Sequence, residues 1–211
     1  MRAPRARRRW VGALGVAVAL QDLWLAHGGA SWSARALPVL VYVVAHGLLV
    51  GASLDGLGLH LRPAGGWGRW CRLGVRLGLV VLGLVGVLVG GAWLAGRPLA
   101  LAPLFDDSAD LRWFLENAVL WAPLVEEGVW RLVLCSALLG VCGARTTLLL
   151  SWAGFALLHW VYGNPAPDNQ VAGLVLGWAY LASGCAAVPI ALHAAGNLFV
   201  FCVHALWFAL G

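Results

Sequence analysis

The chain has 211 residues, of which 62% are hydrophobic and 11% charged, with a formal net charge of +5 and a mean hydropathy of +0.85. This balance excludes an ordinary water-soluble domain, a disordered chain, a disulfide scaffold and a nucleic-acid binder, and it marks an integral membrane protein. The basic excess, fourteen Arg and no Lys, is then read as a topology signal.

A spanning helix needs about 20 apolar residues, and the sequence predicts an all-α membrane protein of about seven transmembrane helices. The runs are Trp10 to His27, Leu37 to Leu54, Leu77 to Gly96, Trp113 to Cys142, Thr146 to Tyr162, Val171 to Ala187 and Ile190 to Leu210. Arg2, Arg5, Arg7, Arg8 and Arg9 precede the first run, Arg62, Arg69, Arg72 and Arg76 follow the second, and Arg145 follows the fourth. The opposite loops hold Arg35, Arg97 and Arg112, the last two offset by Asp106, Asp107 and Asp110. Short basic loops stay cytoplasmic, so the N-terminus is expected inside and the C-terminus outside. Trp24, Trp93, Trp113, Trp160 and Trp207 fall near outer ends, and Trp10, Trp67 and Trp70 near inner ones, as interfacial tryptophans do. Trp121, Trp130, Trp152 and Trp178 fall at mid-depth and are expected to pack between helices.

The first run resembles a cleavable leader around Ala17-Val18-Ala19, but Gln21, Asp22 and Leu23 to Leu25 continue past that point, and it is read as a retained helix. Asp107 or Ser108 is the expected N-cap of the fourth helix, and Asn164-Pro165-Ala166-Pro167-Asp168 a rigid turn. Gly86 and Gly90 form a GxxxG pattern that would admit a neighbouring helix. Cys71, Cys135, Cys142, Cys185 and Cys202 lack metal-ligand spacing and read as small buried hydrophobes with free thiols.

An ionisable side chain inside a bilayer is costly and marks a functional site by default. The mid-span candidates are Glu126, Glu127 and Arg131 in the fourth run, His159 in the fifth, and His193 with Asn197 in the seventh. Glu127 and Arg131 lie four apart in the favourable acid-before-base order and can neutralise each other. Glu126 points about 100° away without that partner, towards whatever polar cavity the other helices supply. Phe155 and His159 share one helix face, and so do His193 and Asn197. A carboxylate, two imidazoles and an amide from three helices suit general acid/base hydrolysis with a stabilised oxyanion. His46 and His204 are expected to be hydrogen-bonded core residues, and Gln21 and Asp22 interfacial or cavity-lining.

Glu126-Glu127-x-x-x-Arg131, Phe155-x-x-x-His159 and His193-x-x-x-Asn197, in this order on successive late helices, resemble the CPBP intramembrane proteases (type II CAAX prenyl protease and bacteriocin-processing, or ABI, family) over roughly residues 110 to 210. The resemblance implies a catalytic four-helix membrane core over residues 109–211, behind about three N-terminal membrane helices in residues 1–108. It implies that Glu126 and His159 activate the hydrolytic water, that His193 and Asn197 form the oxyanion site, and that Glu127, Arg131 and Phe155 support them. No cofactor is expected, although Glu126, His159 and His193 could also serve as a zinc site with an open position. The implied substrate is a membrane-associated protein or peptide, cleaved at a C-terminal anchor, a leader or a CAAX-like tail in a bacterial cytoplasmic membrane. A non-catalytic scaffold or bacteriocin-immunity protein is the alternative.

Overall fold

Capping residues, more than the limits of the apolar runs, decide where the helices begin and end. The computed structural model describes residues 5–51, 53–96, 105 and 107–210. They form α1 (Arg5–His27), α2 (Trp32–Val50), α3 (Gly66–Leu94), α4 (Ser108–Phe114), α5 (Ala122–Glu127), α6 (Leu134–Val161), α7 (Pro167–Ser183) and α8 (Ala187–Leu210). Wide π turns at Leu115–Trp121 and Gly128–Val133 flank α5, and a short 3-10 turn covers Asp55–Leu57. No strand occurs among the described residues, so the all-α expectation holds.

Ser31 accepts a hydrogen bond from the Ala34 amide and starts α2 before the expected Leu37, and Gly51, at φ 68°, stops it before the expected Leu54. The Asp107 carboxylate accepts from the Ala109 and Asp110 amides at 2.6 and 2.9 Å, which is the expected cap of α4. Arg69, Arg72 and Arg76, expected in a loop, belong to the opening turns of α3. Hydropathy falls where Arg begins, whereas the helix continues, since Arg extends its charge away from an apolar stem. Arg2, Arg97, Pro98, Pro103 and Asp106 lie outside the described residues, and so does the side chain of Trp207.

Five stretches are long and apolar enough to cross a bilayer: Ala6–His27, Trp32–Val50, Gly66–Leu94, Ser108–Val161 and Ala187–Leu206. Two expected runs are thus joined in one stretch of 54 residues, and α7, with 17 residues, falls short of a span by length. The joined runs are nevertheless two legs, because the chain reverses at Gly143, whose φ of 78° and ψ of 170° break the helix. Ser151 beyond the reversal donates to the Trp130 carbonyl before it at 2.8 Å.

These legs form the centre of the core, with α1 and α2 packed on one side and α7 on another. Gly154 makes room for the Trp130 ring: a Cβ there would stand 2.1 Å from it. Gly173 and Gly177 bring α7 equally close, since a Cβ would lie 2.9 Å from Phe155 and from Leu148 respectively. The close helix approach expected at Gly86 and Gly90 is therefore made by another GxxxG pair. Among the described residues nothing lies within 4 Å of a Cβ placed at Gly86 or Gly90, and none of their helices reaches that part of α3. Among the mid-depth tryptophans, Trp130 is buried and Trp152 donates to the Gln170 carbonyl, whereas Trp121 and Trp178 are exposed. Trp178 still meets the Trp70 ring at 5.7 Å. Cys135 and Cys185 are buried free thiols as expected, but Cys71 and Cys202 lie on outward helix faces.

Candidate active site

The polar residues of the bundle gather around α5. Pro123 sits in its first turn, where a missing N–H costs nothing. The π turns on both sides widen the helix and re-aim the side chains that follow. As a result Pro123, Val125, Glu126 and Glu127 are all buried, although α5 has only six residues.

Glu127 is fully enclosed. Its Oε2 meets Arg131 Nε at 3.0 Å, an ion pair whose N–H is not aligned as a hydrogen bond. Its Oε1 accepts from His193 Nδ1 at 2.9 Å. Arg131 donates from Nη2 to the Gly173 carbonyl at 2.9 Å and lies 4.3 Å over the Phe155 ring. Phe155 in turn meets the rings of His159 at 4.5 Å and His193 at 6.0 Å. Phe155 thus stands beside both histidines, which come from different helices. The expected Glu127–Arg131 pair is present, and Glu127 also fixes His193. With Nδ1 given to the carboxylate, Nε2 is the His193 nitrogen left for chemistry.

Glu126 is 3% exposed. The sequence left it without a partner; in the structure the Tyr162 hydroxyl donates to its Oε1 at 3.1 Å. His193, His159 and Arg35 lie within electrostatic reach of its carboxyl group. His159 Nδ1 is 3.0 Å from the Phe155 carbonyl, which can only accept, so Nδ1 carries the proton and Nε2 the lone pair of the neutral ring. Asn197 stands apart from these contacts: its Nδ2 donates to the Ala118 carbonyl in the first π turn at 2.6 Å. A carboxamide nitrogen has two hydrogens, so one remains for a substrate oxygen.

Sequence reasoning missed Arg35 and Tyr162. Arg35, counted as a loop residue, is buried in the opening of α2 and paired with Asp22 of α1. The cost of a charge within an apolar helix, which singled out Glu126, applies equally to both. Tyr162 could have been found as the residue three beyond His159, which shares its helix face. His46, as expected, is a buried hydrogen-bonded residue, with Nδ1 2.9 Å from the Tyr42 hydroxyl, and His204 packs against the Phe105 ring.

The zinc set weighed from the sequence is Glu126, His159 and His193. Among the described residues no group of three His, Cys, Asp or Glu side chains could hold a metal ion. Glu127 holds Nδ1 of His193 and a backbone carbonyl holds Nδ1 of His159, which leaves Nε2 of each ring for chemistry, whether with a proton or a metal ion.

Comparison with known families adds a second line of support. Residues 108–199 match the family model of the type II CAAX prenyl endopeptidases, Rce1-like. The resemblance carried by the three motifs is thereby borne out over the matched segment. That segment runs from the start of α4 into α8 and contains all seven motif residues, while α1, α2 and α3 lie outside it. Neither a curated protein nor a solved structure matches the chain. The apolar helices mark an integral membrane protein, and its segment from 108 to 199 is similar to the CAAX-type endopeptidases.

Proposed function

We propose that this protein is an intramembrane endopeptidase of a bacterial cytoplasmic membrane that trims membrane-associated proteins or peptides at a C-terminal anchor, a leader or a CAAX-like tail. The observation that carries the reading is Glu126: a buried carboxylate with no ion-pair partner among the described residues, set near two histidines inside the Rce1-like segment. Glu126 accepts a proton from water with His159 assisting, and the water oxygen bonds to the scissile carbonyl carbon. His193, doubly protonated beside the Glu127 carboxylate, donates from Nε2–H, and with the remaining N–H of Asn197 it stabilises the oxyanion. As the intermediate collapses, the C–N bond breaks, and Glu126 returns the proton to the leaving amine.

Glu126→Gln keeps the shape of the side chain and removes the base. Processing should fall by roughly 10²–10⁴-fold, the usual worth of a general base, with an unchanged amount of folded protein in the membrane. His159→Ala should cause a loss of the same order. Retained processing in Glu126→Gln would overturn the assignment, and if that variant also restored the phenotype of a gene deletion, the scaffold or immunity reading would replace it. The metal-free mechanism has its own check. Purified active protein should carry no stoichiometric zinc by plasma mass spectrometry, and one zinc per chain, lost together with activity on chelation, would contradict it.

A further inference from the structure

Two charged residues lie buried in helices outside the Rce1-like segment. Asp22 of α1 and Arg35 of α2 are each 2% exposed and form a two-pronged pair, with Nε to Oδ1 at 2.7 Å and Nη2 to Oδ2 at 3.0 Å. Desolvation largely offsets the attraction in such a pair, so stability alone is a weak reason for keeping it. The third guanidinium nitrogen, Nη1, donates to the Tyr162 hydroxyl. The rings of Trp32 and Tyr162 flank the guanidinium at 4.8 and 5.4 Å. Trp32 also anchors α2 to the first π turn by donating from Nε1 to Asn117 Oδ1 at 2.8 Å.

Direction follows from donor chemistry. A guanidinium only donates, so the Tyr162 oxygen must accept from it, and the single hydroxyl hydrogen is left for Glu126 Oε1. The bonds therefore run one way, from Arg35 through Tyr162 to Glu126. We propose that Asp22 and Arg35 are positioning residues of the active site: they orient Tyr162 so that its hydroxyl holds one oxygen of Glu126 and leaves the other for the hydrolytic water. This inference rests on Glu126 acting as the base.

The test follows, by pulse–chase, the processing of a membrane protein whose terminus stays uncleaved in cells carrying Glu126→Gln. Tyr162→Phe removes the final bond and keeps the ion pair. Asp22→Leu with Arg35→Met removes both charges together, so that neither is left buried and unpaired. Each change should slow processing about tenfold, the order expected from one hydrogen bond to a charged group, without changing the melting temperature. The triple variant should also be slowed about tenfold, because the pair acts through Tyr162, whereas independent structural contributions would multiply. Wild-type rates in Tyr162→Phe, or a multiplied loss in the triple variant, would overturn the inference while leaving Glu126 as the base. Should the Asp22→Leu/Arg35→Met protein fail to fold, Tyr162→Phe decides alone. If Glu126→Gln leaves every terminus processed, the proteolytic reading falls and this inference with it.

Discussion

The helices α3 and α5 are opposites. α3 has 29 residues with Trp70 its one buried side chain among those described, held against Ala179, Cys185 and Val188 near the α7–α8 turn. Beyond that anchor its Leu and Val side chains point outward, as lipid-facing residues do. α5 has six residues, and four of them are buried, two being carboxylates. High hydropathy therefore does not locate the interior of this protein. The interior is marked by the polar residues that apolar spans retain, since in a bilayer these have to face other protein groups.

Substitutions can sharpen this contrast. The largest effect is expected from Arg131→Leu, which leaves Glu127 buried beside His193 without its arginine; removing one member of a buried pair costs about 3–5 kcal/mol. Thermal unfolding in detergent should show a lower midpoint and a reduced yield, and a stable, abundant variant would contradict the pairing. Gly154→Ala should come next. The added methyl would overlap the Trp130 ring, and overpacking of this kind costs about 1–3 kcal/mol. The smallest effect belongs to α3, where Gly86→Leu with Gly90→Leu should stay within about 0.5 kcal/mol of wild type, as for outward positions in general. A clear loss there would mean that α3 is packed against a partner.

The same contrast explains how much could be read from the sequence. Three motifs and the cost of buried charge were enough to single out Glu126, Glu127, Arg131, His159 and His193 as residues that the fold gathers, because those signals are local to one helix each. Asp107 as a cap was legible for the same reason. Spacing could not show which GxxxG pair is used: Gly86/Gly90 and Gly173/Gly177 follow one pattern, and only the arrival of α6 beside α7 separates them. Nor could it show the link from Asp22 through Arg35 and Tyr162 to Glu126, which joins residues as far apart in sequence as 35 and 162. Boundaries erred where hydropathy and helix geometry part, as at the arginines that open α3 and at Gly143.

The most direct measurement compares the mature N- and C-termini of membrane and secreted proteins, by mass spectrometry, in cells carrying wild-type protein or Glu126→Gln. A defined set of termini that shift to their unprocessed forms in the variant is the predicted result, and it would also name the substrates. Identical termini in both strains, with a phenotype that appears only when the whole gene is deleted, would contradict proteolysis as the function.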